Sequence, residues 1–261
     1  MDTEHRAALR VPEITVLFWV VKTLTTAMGE ATSDFLIHRV GVTNTPALVS
    51  VALAAGVALV LALGLQLSKG RYVAWTYWLT ASMVAVFGTM AADGVHVQLG
   101  VPYVISSTFF AVVLAALFGV WWASERTLSI HSVCTTRREL FYWCVVMATF
   151  ALGTALGDMT AITLHLGYLE SGFLFAALIA IPAIGWWRFG LNEVVAFWFA
   201  YILTRPLGAS FADWLAVPSS RGGVGLGYGA VALGLAIVIV ALVAYLGISG
   251  RDAPGAERAL A

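Results

Sequence analysis

Charge is scarce in this sequence: only 11% of its 261 residues are Asp, Glu, Lys or Arg, and 61% are hydrophobic. A soluble domain carries about 25% charged residues, so the deficit excludes a solvated globular chain and points to a polytopic membrane protein with the lipid bilayer as its first partner. An excess of either sign is also missing, since 14 basic residues balance 14 acidic ones. No Lys/Arg-rich run occurs, and a nucleic-acid partner has no support. Cysteine is nearly absent. Cys134 falls in a polar connection and Cys144 in an apolar segment, and their surroundings suggest reduced thiols, not a disulfide or a thiolate metal site.

Enzyme signatures are lacking as well. There is no HExxH, no G-x-S-x-G and no phosphate-cradling loop; Gly222, Gly223, Gly225 and Gly227 lack the Lys-Ser/Thr partner of such a loop and read as a flexible hairpin. The expectation is a protein that is not an enzyme and carries no cofactor. Met1 to Pro12 mixes both charges, and the apolar run after it is longer than the roughly 7–15 residues of a signal-peptide core, so the first hydrophobic stretch is expected to be retained.

What the chain does have is apolar segments long enough to cross a bilayer, which takes about 20 residues each. Eight are legible, near 13–37, 46–68, 73–98, 102–123, 141–164, 168–187, 194–216 and 224–248. The first and second members of each pair are joined by short Gly-, Pro- and Asn-containing links, with Pro46 and Pro102 where the even helices begin, positions that cost a helix little. The longest link on the side of the termini, Thr127 to Leu140, is too short to be a domain.

One spacing recurs through these pairs: a tryptophan, nine residues, a glycine, four residues, an aspartate. It occurs without insertion or deletion as Trp19/Gly29/Asp34, Trp78/Gly88/Asp93, Trp143/Gly153/Asp158 and Trp198/Gly208/Asp213. The expected fold is therefore all-α: a bundle of eight transmembrane helices in one membrane domain, 1–261, built from four two-helix repeats near 13–71, 72–126, 139–188 and 192–250. Each repeat crosses twice, so the copies are parallel about an axis along the membrane normal.

At about 100° per residue, with the Trp at zero, the Asp falls near +60° and the Gly near −80°, on one face. In the first helix that face also carries Lys22, Thr26 and Glu30; Thr89, Thr154 and Ala209 take the Glu30 position, and Arg205 takes that of Thr26. The odd helices are expected to line the interior and the apolar even helices to face lipid. Gly29, Gly88, Gly153 and Gly208 each precede a small residue by four, Gly157 being one of these. This small-xxx-small pattern lets helix backbones approach closely.

The acids ask for more than packing. A carboxylate in the apolar region costs about 2.5–3.5 kcal/mol on insertion scales and usually faces a cavity on an ion or proton path. The Trp-to-Asp separation spans about 22 Å of helix, so tryptophans at one membrane boundary put the aspartates in the far third of the bilayer. A carboxylate at a helix C-terminus is opposed by the macrodipole, which argues against capping. The candidates for cation or proton binding are Glu30, Asp34, Asp93, Asp158 and Asp213, with Lys22 and Arg205 as internal counter-ions. Oxygen-only clusters suit hard cations, although the metal is unspecified. His38, His96 and His165 follow the aspartates at unequal offsets and read as interfacial, with metal binding or pH sensing as the alternative.

Ten basic residues outside the spans (Arg6, Arg10, Lys69, Arg71, Arg126, Arg137, Arg138, Arg188, Arg251 and Arg258) lie on the side of the termini, against Arg39 and Arg221 on the other. The positive-inside rule then predicts both termini in the cytoplasm. Trp121-Trp122 and Trp186-Trp187 sit where an interfacial aromatic belt is expected.

The segments Lys22-Thr23-Leu24-Thr25-Thr26-Ala27-Met28-Gly29-Glu30 and Ala151-Leu152-Gly153-Thr154-Ala155-Leu156-Gly157-Asp158, within four in-register hairpins, resemble an uncharacterised bacterial membrane-protein family of four tandem two-span repeats of unknown function, often labelled membrane-anchored protein. The resemblance covers nearly the whole chain and implies a multi-pass protein of the bacterial inner membrane; it implies no substrate. From the residues, a small-cation transporter, an acidic-mouthed cation channel and a non-transporting sensor or structural component with paired acids all stay open.

Overall fold

A computed structural model of the protein describes residues 9–254; the expectations that rest on Arg6 and Arg258, and the outer parts of both tails, fall outside the described residues. Eight long helices are present among them: α1 (Val16–Val40), α2 (Thr45–Lys69), α3 (Ala74–Asp93), α4 (Tyr103–Glu125), α5 (Thr136–Asp158), α6 (Tyr168–Phe189), α7 (Glu193–Ala216) and α8 (Tyr228–Ser249). α3 and α5 run on beyond their aspartates as single π-helical turns, Gly94–Gln98 and Met159–Thr163. The boundaries follow local chemistry. Thr15, Asn44, Thr135 and Asn192 cap the starts of α1, α2, α5 and α7 with side-chain oxygens on first-turn N–H groups, and Gly70 and Gly250 close α2 and α8 at φ of +62° and +64°, where an L side chain is strained.

Helices α2 to α8 are each long and apolar enough to span a membrane. α1 has the length but not the composition, because it carries Lys22, Glu30 and Asp34. Its place in the fold accounts for this: α1, α3, α5 and α7 pack in sequence around a closed ring, with α7 returning to α1, and those polar side chains point into it. The even helices form the outer layer. In the most apolar stretches of α3, α5 and α7, 61–72% of residues are buried, against 11–22% in α2, α4, α6 and α8, whose exposed Val, Leu, Ile and Phe side chains present a lipid-facing surface. The inside-odd, outside-even reading of the sequence is what the structure has.

The hairpin of the sequence is not the unit of packing. α2 packs mainly on α3, α4 on α5, α6 on α7 and α8 on α1, so each even helix covers the odd helix of the following repeat. The short link inside a repeat turns the chain around, and the second helix then leans over to the next groove.

Two contacts recur at all four seams of the ring. At the first, the motif glycine meets the residue three before the next motif glycine. A Cβ on Gly29 would collide with Ala85, on Gly88 with Phe150, on Gly153 with Arg205 and on Gly208 with Thr26. The glycines are there because the helices touch at those points.

At the second, the aromatic residue before each motif tryptophan packs on the next repeat's tryptophan. Ring centroids lie 5.8 Å apart for Phe18–Trp78, 5.3 Å for Tyr77–Trp143, 6.1 Å for Tyr142–Trp198 and 5.7 Å for Phe197–Trp19. Each such pair contributes about 0.5–1.5 kcal/mol beyond its burial. Trp78, Trp143 and Trp198 are buried in the core, on the inward face that they share with the motif Gly and Asp, and the aromatic doublets hold them there. Of the expected belt, Trp122, Trp186 and Trp187 are exposed and Trp121 is buried.

Candidate functional site: a carboxylate chamber in the ring

From the aromatic layer towards the far end, the ring changes from apolar to polar. Lys22 comes first, 1% exposed. Its Nζ lies 4.5 Å from the centre of the Phe150 ring and 4.4 Å from that of Tyr201 and has no hydrogen-bond partner. Next, the fully buried Arg205 reaches across the axis from α7. Its Nη2 donates to the Glu30 carboxylate on α1, to the Thr89 hydroxyl on α3 and, at 2.6 Å, to the Thr154 hydroxyl on α5. One guanidinium thus ties all four odd helices, and a side chain that is always charged and rich in donors suits this work. Thr26 Oγ1 closes the α1–α7 seam by donating to the Thr204 carbonyl at 3.2 Å.

Beyond Arg205 the carboxylates converge. Single oxygens of Glu30, Asp34 and Asp213 lie within 4.8 Å of one another. Ser33 Oγ is 3.5 Å from Asp93 Oδ2, and Asp158 completes the set, with all five acids in mutual electrostatic contact. The ring therefore gathers every sequence-predicted acid into one chamber. It does not gather both predicted counter-ions: Arg205 is paired with Glu30, whereas Lys22 is held by aromatic faces. Gly29, Gly88, Gly153 and Gly208 sit at the seams beside the chamber, whereas a Cβ on Gly157 would meet Ala209 only at an ordinary 3.7 Å.

The three histidines do not form a common site. His38 is exposed, its Nδ1 2.8 Å from the Asp34 carbonyl and its ring stacked 5.0 Å from Tyr228. His96 is buried: Nδ1 is 2.9 Å from Ser106 Oγ and the ring lies 4.6 Å from Tyr103. His165 sits exposed in the α5–α6 connection at φ +56°.

Sequence reasoning passed over the rim. Tyr103, Tyr168 and Tyr228 are the first residues of α4, α6 and α8. Tyr103 interacts with Asp158 and Asp93, Tyr168 with Asp213 and Asp158, and Tyr228 with Asp34 and Asp213. A signal was present, because Tyr103 and Tyr168 each follow their aspartate by ten residues, and Asn44 holds that offset in the first repeat. Such a chamber suits a hard cation or protons: its donors are carboxylate and hydroxyl oxygens, without a thiolate or an imidazole in the converging group.

A family profile described as Repeat of Unknown Function (DUF347) matches the chain four times, over residues 17–72, 76–127, 141–191 and 196–252. The chain belongs to this family. Each DUF347 repeat brings one odd helix to the ring, one glycine to a seam and one aspartate to the chamber. No curated protein and no solved structure compared with the chain gives a match.

Among its four DUF347 repeats the chain differs where the chemistry is. The layer one residue after the motif glycine reads Glu30, Thr89, Thr154 and Ala209, and the layer three before it reads Thr26, Ala85, Phe150 and Arg205. The small Ala209 and the long Arg205 belong to the same repeat, and the guanidinium covers the carboxylate that only the first repeat supplies.

Proposed function

We propose that this protein is a membrane transporter of a small cation, a hard divalent metal ion or protons, which binds in the chamber of Glu30, Asp34, Asp93, Asp158 and Asp213. The observation that carries the reading is the convergence of Glu30, Asp34 and Asp213, of which only Glu30 is paired with the Arg205 guanidinium. Five carboxylates in an apolar ring, one of them paired, leave a charge deficit that bound cations or protons must fill. The basic residues flanking the helices support a reading with both termini in the cytoplasm; in a bacterial inner membrane the chamber would then lie towards the outer face and the aromatic layer towards the cytoplasm. On this reading the protein performs no covalent chemistry.

The test is equilibrium binding of Mn²⁺ to the purified protein, followed by electron paramagnetic resonance, together with uptake into proteoliposomes. Wild type is expected to bind and move the ion, and Asp158→Asn and Asp213→Asn to lose both while remaining folded. A second reading is favoured by the Arg205–Glu30 pair, which already ties the ring together: the acids then serve stability in a non-transporting component. Unchanged Mn²⁺ binding and flux in both Asn variants, or wild type that moves neither Mn²⁺ nor protons, would decide for it.

A further inference from the structure

The buried Lys22 is not explained by packing or by ion pairing. An amine that makes no hydrogen bond inside a membrane bundle is costly unless something compensates it, and here two aromatic faces do so. The charged group acting on it is Arg205 from α7, a second cation, so Lys22 is not the partner of an acid. Its neighbours on the side away from the chamber are aromatic rings, and one of these belongs to a cluster of buried tyrosines. Its Nζ lies over the ring of Tyr201, Tyr142 interacts electrostatically with Tyr201, and the hydroxyls of Tyr142 and Tyr77 are 2.5 Å apart. The Tyr77 ring meets that of Tyr72 edge-on at 5.7 Å, and the Tyr72 hydroxyl donates to Asp252 in the segment after α8. Tyr77, Tyr142 and Tyr201 are at most 1% exposed.

The aromatic layer thus has two properties at once. Packed rings from all four repeats close the axis to a hydrated ion, while tyrosine oxygens run through the same layer. We propose that Lys22 and the tyrosine string from Tyr201 through Tyr142 to Tyr77 form a proton relay, which connects the carboxylate chamber to the end of the bundle where Tyr72 and Asp252 lie. In one passage each hydroxyl oxygen accepts a proton from its neighbour and releases its own to the next. Lys22 alternates between ammonium and amine by giving a proton to the string on one side and receiving one from the chamber on the other. No bond other than O–H and N–H is made or broken, and one proton leaves the chamber for each one delivered. The inference rests on the reading that the chamber exchanges cations or protons, and it identifies the coupling ion.

The experiment uses full-length protein in liposomes that contain a pH-sensitive dye, with a potassium-diffusion potential imposed and Mn²⁺ binding measured separately on the same preparations. Tyr142→Phe keeps the ring and removes one oxygen. Lys22→Arg keeps a cation over the two rings but replaces an exchangeable group by one that holds its proton. Both variants are expected to slow proton movement by about a hundredfold or more, the lower end of what a positioned proton-transfer group contributes, while melting as wild type does and binding Mn²⁺ with unchanged affinity. Proton movement at the wild-type rate in both variants, or none in wild type, overturns the relay. Wild type that moves protons through a Tyr142-dependent path but binds no Mn²⁺ supports the relay and overturns the divalent-metal form of the transport reading.

Discussion

Two neighbouring regions of the ring treat the fourfold repeat in opposite ways. At the seams the repeats are interchangeable: each motif glycine meets the same position of the next copy, and each aromatic doublet packs on the next tryptophan. On the axis, one turn away, they are not, because a single arginine serves four helices and a single glutamate receives it. Folding uses what the copies share, and the chemistry sits where one copy departs from the others. The seams are redundant by construction, whereas nothing duplicates the centre.

The sharpest way to break that contrast is at the centre. Arg205→Met alone, or Glu30→Gln alone, is expected to cost about 3–5 kcal/mol, because each strips a buried pair of one partner. The double change Glu30→Leu with Arg205→Met should recover most of the loss, since apolar replacement of a whole buried pair is often neutral or better. Unfolding in detergent, followed by tryptophan fluorescence, measures all three. Single variants within about 1 kcal/mol of wild type would remove Arg205 from its position as the shared tie.

Why this centre was only half legible follows from geometry. Helical periodicity gives the face on which a side chain lies, so the odd helices inside, the even helices outside, the glycine contacts and the inward face of the acids were readable, but not whether the acids share one site. Periodicity does not give azimuth within a closed ring. It therefore left open which carboxylate receives Arg205, and it assigned Lys22 a carboxylate where the fold supplies Phe150 and Tyr201. Packing of an even helix on the next repeat needs knowledge of groove positions that link lengths do not carry. The tyrosine rim was there to be found at its ten-residue offset, but only by comparing copies beyond the motif.

At the seams the expected effects are smaller and should be alike. A Cβ on Gly208 would lie 3.0 Å from the backbone nitrogen of Ala27, and Gly208→Val is expected to cost about 1–3 kcal/mol as an overpacked contact; Gly29→Val should cost the same within error. Gly64 in the outer helix α2 has open space around it, so Gly64→Ala is expected to stabilise by about 0.5–1 kcal/mol through helix propensity. Thermal melts of the three variants sharpen the comparison. A benign Gly208→Val beside a damaging Gly29→Val would show that the seams are not equivalent.

The smallest effect lies outside the spans. Burial holds the Asp252 carboxyl above its usual 3.8, so the folded protein binds that proton more readily than the unfolded chain does. Its contribution is complete below pH 3.8 and is lost as pH rises through the folded value. Asp252→Asn should therefore flatten the decline of melting temperature between about pH 4 and 7 without touching seam or centre. An unaltered pH profile in the variant would assign the decline to other groups.

The closure of α8 and α7 onto α1 also bears on how the protein is made. Glu30 enters the bilayer with the first helix, the one least suited to stay there, and its arginine lies 175 positions further along the chain. Three repeats must leave the ribosome before that charge is matched. Until then the nascent chain holds an open ring with an unpaired acid at its leading helix, so the insertion machinery must retain α1 through most of synthesis. A chain truncated before α7 would have lipid-compatible outer helices and no stable interior, which makes the last repeat the step that commits the whole assembly to the membrane.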